Sequence, residues 1–176
     1  MGATAAVKEC NGAAPGAWNT VTAAKFCTSD AYNPATTFPI PIPAAGLRYS
    51  YWKSHSLTFT GTWTSLTNVK VYTDTTGFGT GIVVALGTPQ LGTTDYHQAT
   101  GTEGTTGDEF VAGHPHVDGS VDFFGYGSAS PYTVDAGPLS GTPAYSNMVI
   151  LQMVVSSAAS PGELTPETIT FQYDEV

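Results

Sequence analysis

Residues 67–74 read TNVKVYTD, and this stretch decides the fold. In an extended chain successive side chains point to opposite faces, so Val69 and Val71 share a dry face while Asn68, Lys70 and Tyr72 share a wet one. Residues 168–175, TITFQYDE, repeat the pattern, with Ile169, Phe171 and Tyr173 in the apolar row and Thr170 and Gln172 in the polar one. Few windows place apolar residues at three-and-four spacing, and the 20 glycines and 12 prolines interrupt the longest stretches.

Other segments follow from these two. GIVVALG (81–87) and NMVILQMVV (147–155) are nearly continuous apolar runs, expected of central strands covered on both faces. LRYSYWKSHSLTFT (47–60) is too long for one strand and is expected to bend near Lys53 to His55 before Leu57 and Phe59 resume the alternation. WNTVTAAKFCT (18–28) reads as the first strand, with short later ones at Val121 to Phe124 and Tyr132 to Val134. FPIPIP (38–43) cannot donate regularly to a ladder and reads as an extended edge or crossing connection. DTTGFGTG (74–81) reads as a hairpin connection, and Thr88 to Gly119 as a long loop of functional length. The sum is an all-β, single-domain antiparallel β-sandwich of jelly-roll or immunoglobulin-like kind, with about eight to ten strands. Residues 1–17, rich in Gly and Ala, read as an extended N-terminal arm ahead of a sandwich domain over 18–176.

Composition agrees and narrows function. The chain has 176 residues, enough for one core without staples, and its charged share of 11% is less than half the usual roughly 25%. Threonine, serine, asparagine and glycine must cover the surface instead, and β-branched threonine favours strands. The five basic residues, Lys8, Lys25, Arg48, Lys53 and Lys70, all lie in the first 70 positions beside Glu9 and Asp30, a balance of +3. Positions 71–176 hold 12 acids and no Lys or Arg, a balance of −12. Such a surface repels phosphate, which argues against nucleic acid and anionic membrane as partners. The acidity either keeps a low-charge surface soluble or lets unlike regions of neighbouring subunits meet. The opening MGATAAVKECNGAAPGAW lacks the apolar run of a signal peptide and no stretch is long enough to span a membrane, so manufacture and folding in the cytoplasm are expected.

Residues that carry chemistry are few. Cys10 and Cys27 are the only cysteines, a candidate disulfide, with reduced thiols the default. His114, His116 and Asp118 alternate along an extended segment and could share a metal ion with His97 or Asp95, against the plain reading of exposed loop residues. Asp95, Glu103, Asp108, Glu109, Asp118 and Asp122 crowd a glycine-rich stretch, which makes calcium the hard-cation option, though no D-x-D-x-D-G loop is present. No resident cofactor is otherwise expected. A nucleophile elbow, a phosphate loop and an activated cysteine are all missing, so the chain is expected to be no enzyme. Tyr49, Tyr51 and Trp52 could form a sugar-stacking platform, against the plain reading of core packing.

Three stretches together, YSYWKSHSLTFTGTWTSLTNVKVYTDTTGFGTG (49–81), YHQATGTEGTTGDEF (96–110) and NMVILQMVVSSAASPGELTPETITFQYDEV (147–176), resemble small all-β virion structural proteins of tailed viruses. The resemblance implies a head decoration or accessory capsid protein localised to the virion. It implies many symmetric copies contacting one another or the major capsid protein. No site residue carries over. The alternative is a carbohydrate-binding or adhesive β-sandwich module.

Overall fold

The computed structural model describes residues 2–13, 17–90, 95–101 and 121–176. It is an all-β sandwich of antiparallel sheets, as the alternation predicts. Ten strands occur among the described residues: β1 (Ala3–Asn11), β2 (Ala17–Thr20), β3 (Leu47–Tyr49), β4 (Lys53–Gly61), β5 (Leu66–Thr73), β6 (Ile82–Gln90), β7 (Tyr132–Asp135), β8 (Ala144–Tyr145), β9 (Met148–Ser156) and β10 (Ile169–Glu175). The larger sheet runs β2-β1-β4-β9-β3, with β6 also on β9 and β8 on β4; the smaller runs β10-β5-β7.

The larger sheet has five lines, two of them broken. β3 and β4 form one line interrupted at Ser50–Trp52, and β8 and β9 form another interrupted at Ser146–Asn147. A buried serine patches each break. Ser50 Oγ accepts the Met153 amide at 3.0 Å, and Ser146 Oγ accepts the Leu57 amide at 3.0 Å. The hydroxyls take the place of missing ladder carbonyls, which buried amides require. The bend expected near Lys53 to His55 thus falls just before Lys53.

β9 is central, as its apolar run predicts. Val149, Leu151, Met153 and Val155 face the inner core, where they join Leu57, Phe59, Val84 and Leu86 of the same sheet and Leu66, Val69, Val71 and Val134 of the other. Met148 and Ile150 face outward beneath Tyr96, Trp52 and Ala99, so residues 95–101 cover the outer face there. In β5 the alternation slips once. Asn68 adopts a positive φ of 53° at a bulge and bonds Asp174 at 2.7 Å, which lets both Leu66 and Val69 point inward; asparagine tolerates that backbone better than most residues.

Several expectations are corrected. Ala3–Asn11 is not an arm: it is β1, hydrogen-bonded between β2 and β4. The first strand therefore precedes 18–28, of which only the first residues are extended in β2. Residues 82–87 of GIVVALG lie in β6, which among the described strands pairs with β9 alone, its far side meeting a bridge at Asp122 and the Val121 carbonyl. Residues 74–81 form no hairpin, because β5 and β6 belong to different sheets. Phe123–Gly125 is a single 3-10 turn capped by Asp122, whose side chain accepts the Phe124 amide. Tyr132 to Val134 forms β7 as expected, and FPIPIP is a crossing connection with no strand.

Candidate functional site

The inner row of β4 carries Lys53, His55, Leu57 and Phe59, and the antiparallel register sets Val7 against Leu57 and Glu9 against His55. One face of one sheet therefore changes from apolar to ionic within two residues. Glu9 is fully buried, and its Oε1 accepts Lys53 Nζ at 3.2 Å and Asn11 Nδ2 at 3.0 Å. The Lys53 ammonium, also buried, donates in addition to the Ala31 carbonyl. Asp30 closes the network by accepting Asn11 Nδ2 at 3.0 Å, the Gly12 amide at 2.7 Å and Gln98 Nε2 at 2.8 Å.

Burial pushes the Glu9 carboxyl up, but the adjacent His55 imidazole and the Lys53 ammonium, aided by Asn11, outweigh it and hold the group below the ordinary carboxylate range. Tyr96, whose hydroxyl donates to the Gly12 carbonyl at 3.0 Å, is pushed far up by its own burial and then by the Asp30 carboxylate, so its phenol stays protonated. The cluster is thus a fixed ion pair with its donors engaged, which suits a structural role better than proton transfer.

His55 differs. It is 3% exposed, its Nε2 makes an ion-pair contact with Glu9 Oε2 at 3.3 Å, and among the described residues neither ring nitrogen has a well-aligned hydrogen-bond partner. The ring lines a cleft of about 1280 Å³. The floor is the inner face of the larger sheet, including Val7, Val84 and Leu151, and one wall is Ile169 and Phe171 of β10. The cover is irregular: Phe26, Cys27 and Ile40 from the connection between β2 and β3, and Leu164 from the connection between β9 and β10. Gly81 anchors the second connection. Its φ is +82°, and a β-carbon there would sit 2.4 Å from the Ala159 amide nitrogen, so only glycine allows this approach.

The structure separates several residues that the sequence groups together. Cys10 and Cys27 form no disulfide with each other. Their positions explain this: Cys10 packs with Tyr96 and Met148 on the outer face of the larger sheet, whereas Cys27 lines the cleft on the inner face. Trp52 is buried and donates its indole N–H to the His97 carbonyl at 3.0 Å, so it is core and offers no open stacking face. Tyr51 bonds the Gly101 carbonyl, and Tyr49 lies on the outer face of β3. Of the metal candidates, Asp95 and His97 flank Tyr96 on the outer covering segment, while His114, His116 and Asp118 lie outside the described residues, as do Glu103, Asp108 and Glu109. Among the described residues no group of three His, Cys, Asp or Glu side chains could hold a metal ion. No described helix is long and apolar enough to cross a membrane.

The arrangement defines a class by architecture alone, an antiparallel sandwich with an apolar inner cleft. Comparison with protein-family models, with curated proteins and with solved structures finds no match to this chain.

Proposed function

We propose that this chain is a non-enzymatic virion structural protein, a capsid decoration or accessory shell component that acts through subunit contacts. The observation that carries this reading is the outer face of the larger sheet around β3 and β6. Tyr49 and Val83 flank Val154 in one cross-strand row, and Leu47 lies in the next. Leu47 is 48% exposed and Val83 is 42% exposed, and half-buried Tyr49 and Val154 lie between them, so this sheet face presents apolar side chains to solvent. A patch of this kind marks an interaction surface, and on a regular sheet it can meet its own copy about a two-fold axis or a neighbour around a ring.

Light scattering of the purified chain across concentration tests the reading. A discrete oligomer is expected, and Leu47→Asp combined with Val83→Asp is expected to give a monomer with an unchanged circular dichroism spectrum. A wild-type monomer at every concentration counts against self-assembly. The same face, through Tyr49, then goes to a glycan array as the test of the carbohydrate-binding alternative.

A further inference from the structure

We propose that Lys53 and Asn11 join in an intramolecular isopeptide bond, formed by the folded chain itself with Glu9 as the proton carrier. The register places the reacting pair. β1 and β4 run antiparallel with Cys10 opposite Ser54, so Asn11 and Lys53, one step further on each strand, face each other and share the inner face with Glu9. One atom touches both: Glu9 Oε1 accepts Lys53 Nζ at 3.2 Å and Asn11 Nδ2 at 3.0 Å. The nucleophilic nitrogen and the leaving nitrogen therefore meet at a single carboxylate oxygen. Asp30 fixes the amide as well, its Oδ1 accepting Asn11 Nδ2 at 3.0 Å.

Burial supplies the second condition. Lys53 is 1% exposed, Glu9 0% and Asn11 8%, so bulk water is kept from an amide that it would otherwise hydrolyse. Three polar side chains held against one another on paired strands turn a bimolecular encounter into a unimolecular one. The ion pair described above is the precursor, with the proton resting on Lys53. The reaction needs that proton to cross once in the life of the chain, along an existing hydrogen bond, and the loss of two buried charges offsets part of the cost. Nζ passes a proton to Glu9 Oε1, and its freed electron pair attacks Asn11 Cγ. The carboxyl then hands the proton to Nδ2, the Cγ–Nδ2 bond breaks as the carbonyl reforms, and the Nζ–Cγ bond remains. The surplus proton on the new amide nitrogen passes through Glu9 to the departing ammonia. One ammonium ion leaves for each bond formed, Glu9 is again a carboxylate, and no oxidant, reductant or cofactor is consumed.

The test is intact-mass spectrometry of the full chain, purified in urea and then refolded, with tryptic mapping of the product. The refolded chain is expected to become lighter than its sequence by one ammonia, while chain held in urea keeps its full mass. Lys53 is then no longer a cleavage site, so trypsin is expected to release residues 9–25 joined to residues 49–70 as one branched peptide. Lys53→Arg keeps a cation beside Glu9 but is no nucleophile at neutral pH, and it is expected to fold and stay at full mass. Glu9→Asp keeps the charge and withdraws the oxygen, and it is expected to slow the mass loss by at least about tenfold. Full mass in the refolded wild-type chain, once circular dichroism shows its strands restored, overturns the proposal. So does an ammonia loss confined to the peptide carrying Asn11, which marks a succinimide at Asn11–Gly12. An unchanged rate in Glu9→Asp overturns the role of Glu9. The readout is the mass of a single chain, so the outcome is independent of the oligomer test.

Discussion

Glu9 concentrates the electrostatics of the fold in one side chain. Replacing it by glutamine leaves the Lys53 ammonium buried beside a neutral amide, and removing one partner of a buried pair costs about 3–5 kcal/mol. Glu9→Gln is expected to lose that much in urea-unfolding experiments, whereas Glu9→Leu with Lys53→Met is expected to lose far less, since neither charge is then stranded. The sign of the pH dependence follows from the lowered carboxyl. Its contribution is complete above the unfolded value near 4.5 and drains away as pH falls below that towards the lower native value. The acid limb of the wild-type stability profile should therefore be steeper than that of Glu9→Gln; identical limbs would show that Glu9 is not what acid titrates. Little of this was legible beforehand. Charged side chains read as solvated unless a partner is known, and the partners of Glu9 and Lys53 come from another strand and a connection with no periodicity. The available signal lay in the parity of β4: since Leu57 and Phe59 face the core, Lys53 and His55 must face the same way.

Strand breaks, at the next scale, depend on Ser50 and Ser146. Ser146→Ala deprives the buried Leu57 amide of its acceptor, and an unsatisfied buried donor costs about 1–3 kcal/mol. Thermal unfolding should show a loss of that order for Ser146→Ala and for Ser50→Ala, with Ser128→Ala, on an exposed turn, as the neutral comparison. A neutral result for Ser146 would mean that the two strands realign to close the break. Elements with one covered face were readable, because period-two alternation reports that situation directly: β5, β7 and β10 fall where the pattern places them, and β9 where a two-sided cover requires a continuous apolar run. β1 was missed for a physical reason. Its sequence, ATAAVKECN, has one large aliphatic residue, and its place in the sheet rests on backbone pairing on both edges. The cleft was missed because irregular connections enclose it, and no periodicity reports which sheet face a connection crosses.

At the scale of the whole molecule, the two sheets share one inner core, and β9 ties that core to the outer clusters, since its odd-numbered residues face inward and Met148 and Ile150 face out. The three tryptophans sample these layers unequally: Trp52 and Trp18 belong to the outer clusters, and Trp63 packs against the inner core. Tryptophan fluorescence thus weights the outer cover, while far-ultraviolet circular dichroism weights all ten strands. If the cover were an independent layer, fluorescence would change at a lower temperature than circular dichroism. Because Ile150 cannot leave its place under Trp52 without moving Val149 and Leu151 in the inner core, the layers should melt together as one cooperative unit. The two melting curves are expected to superimpose in the wild-type chain. A fluorescence transition that precedes the loss of strand signal would show that residues 95–101 detach on their own, and that the outer face is larger and more apolar in solution than the folded chain presents.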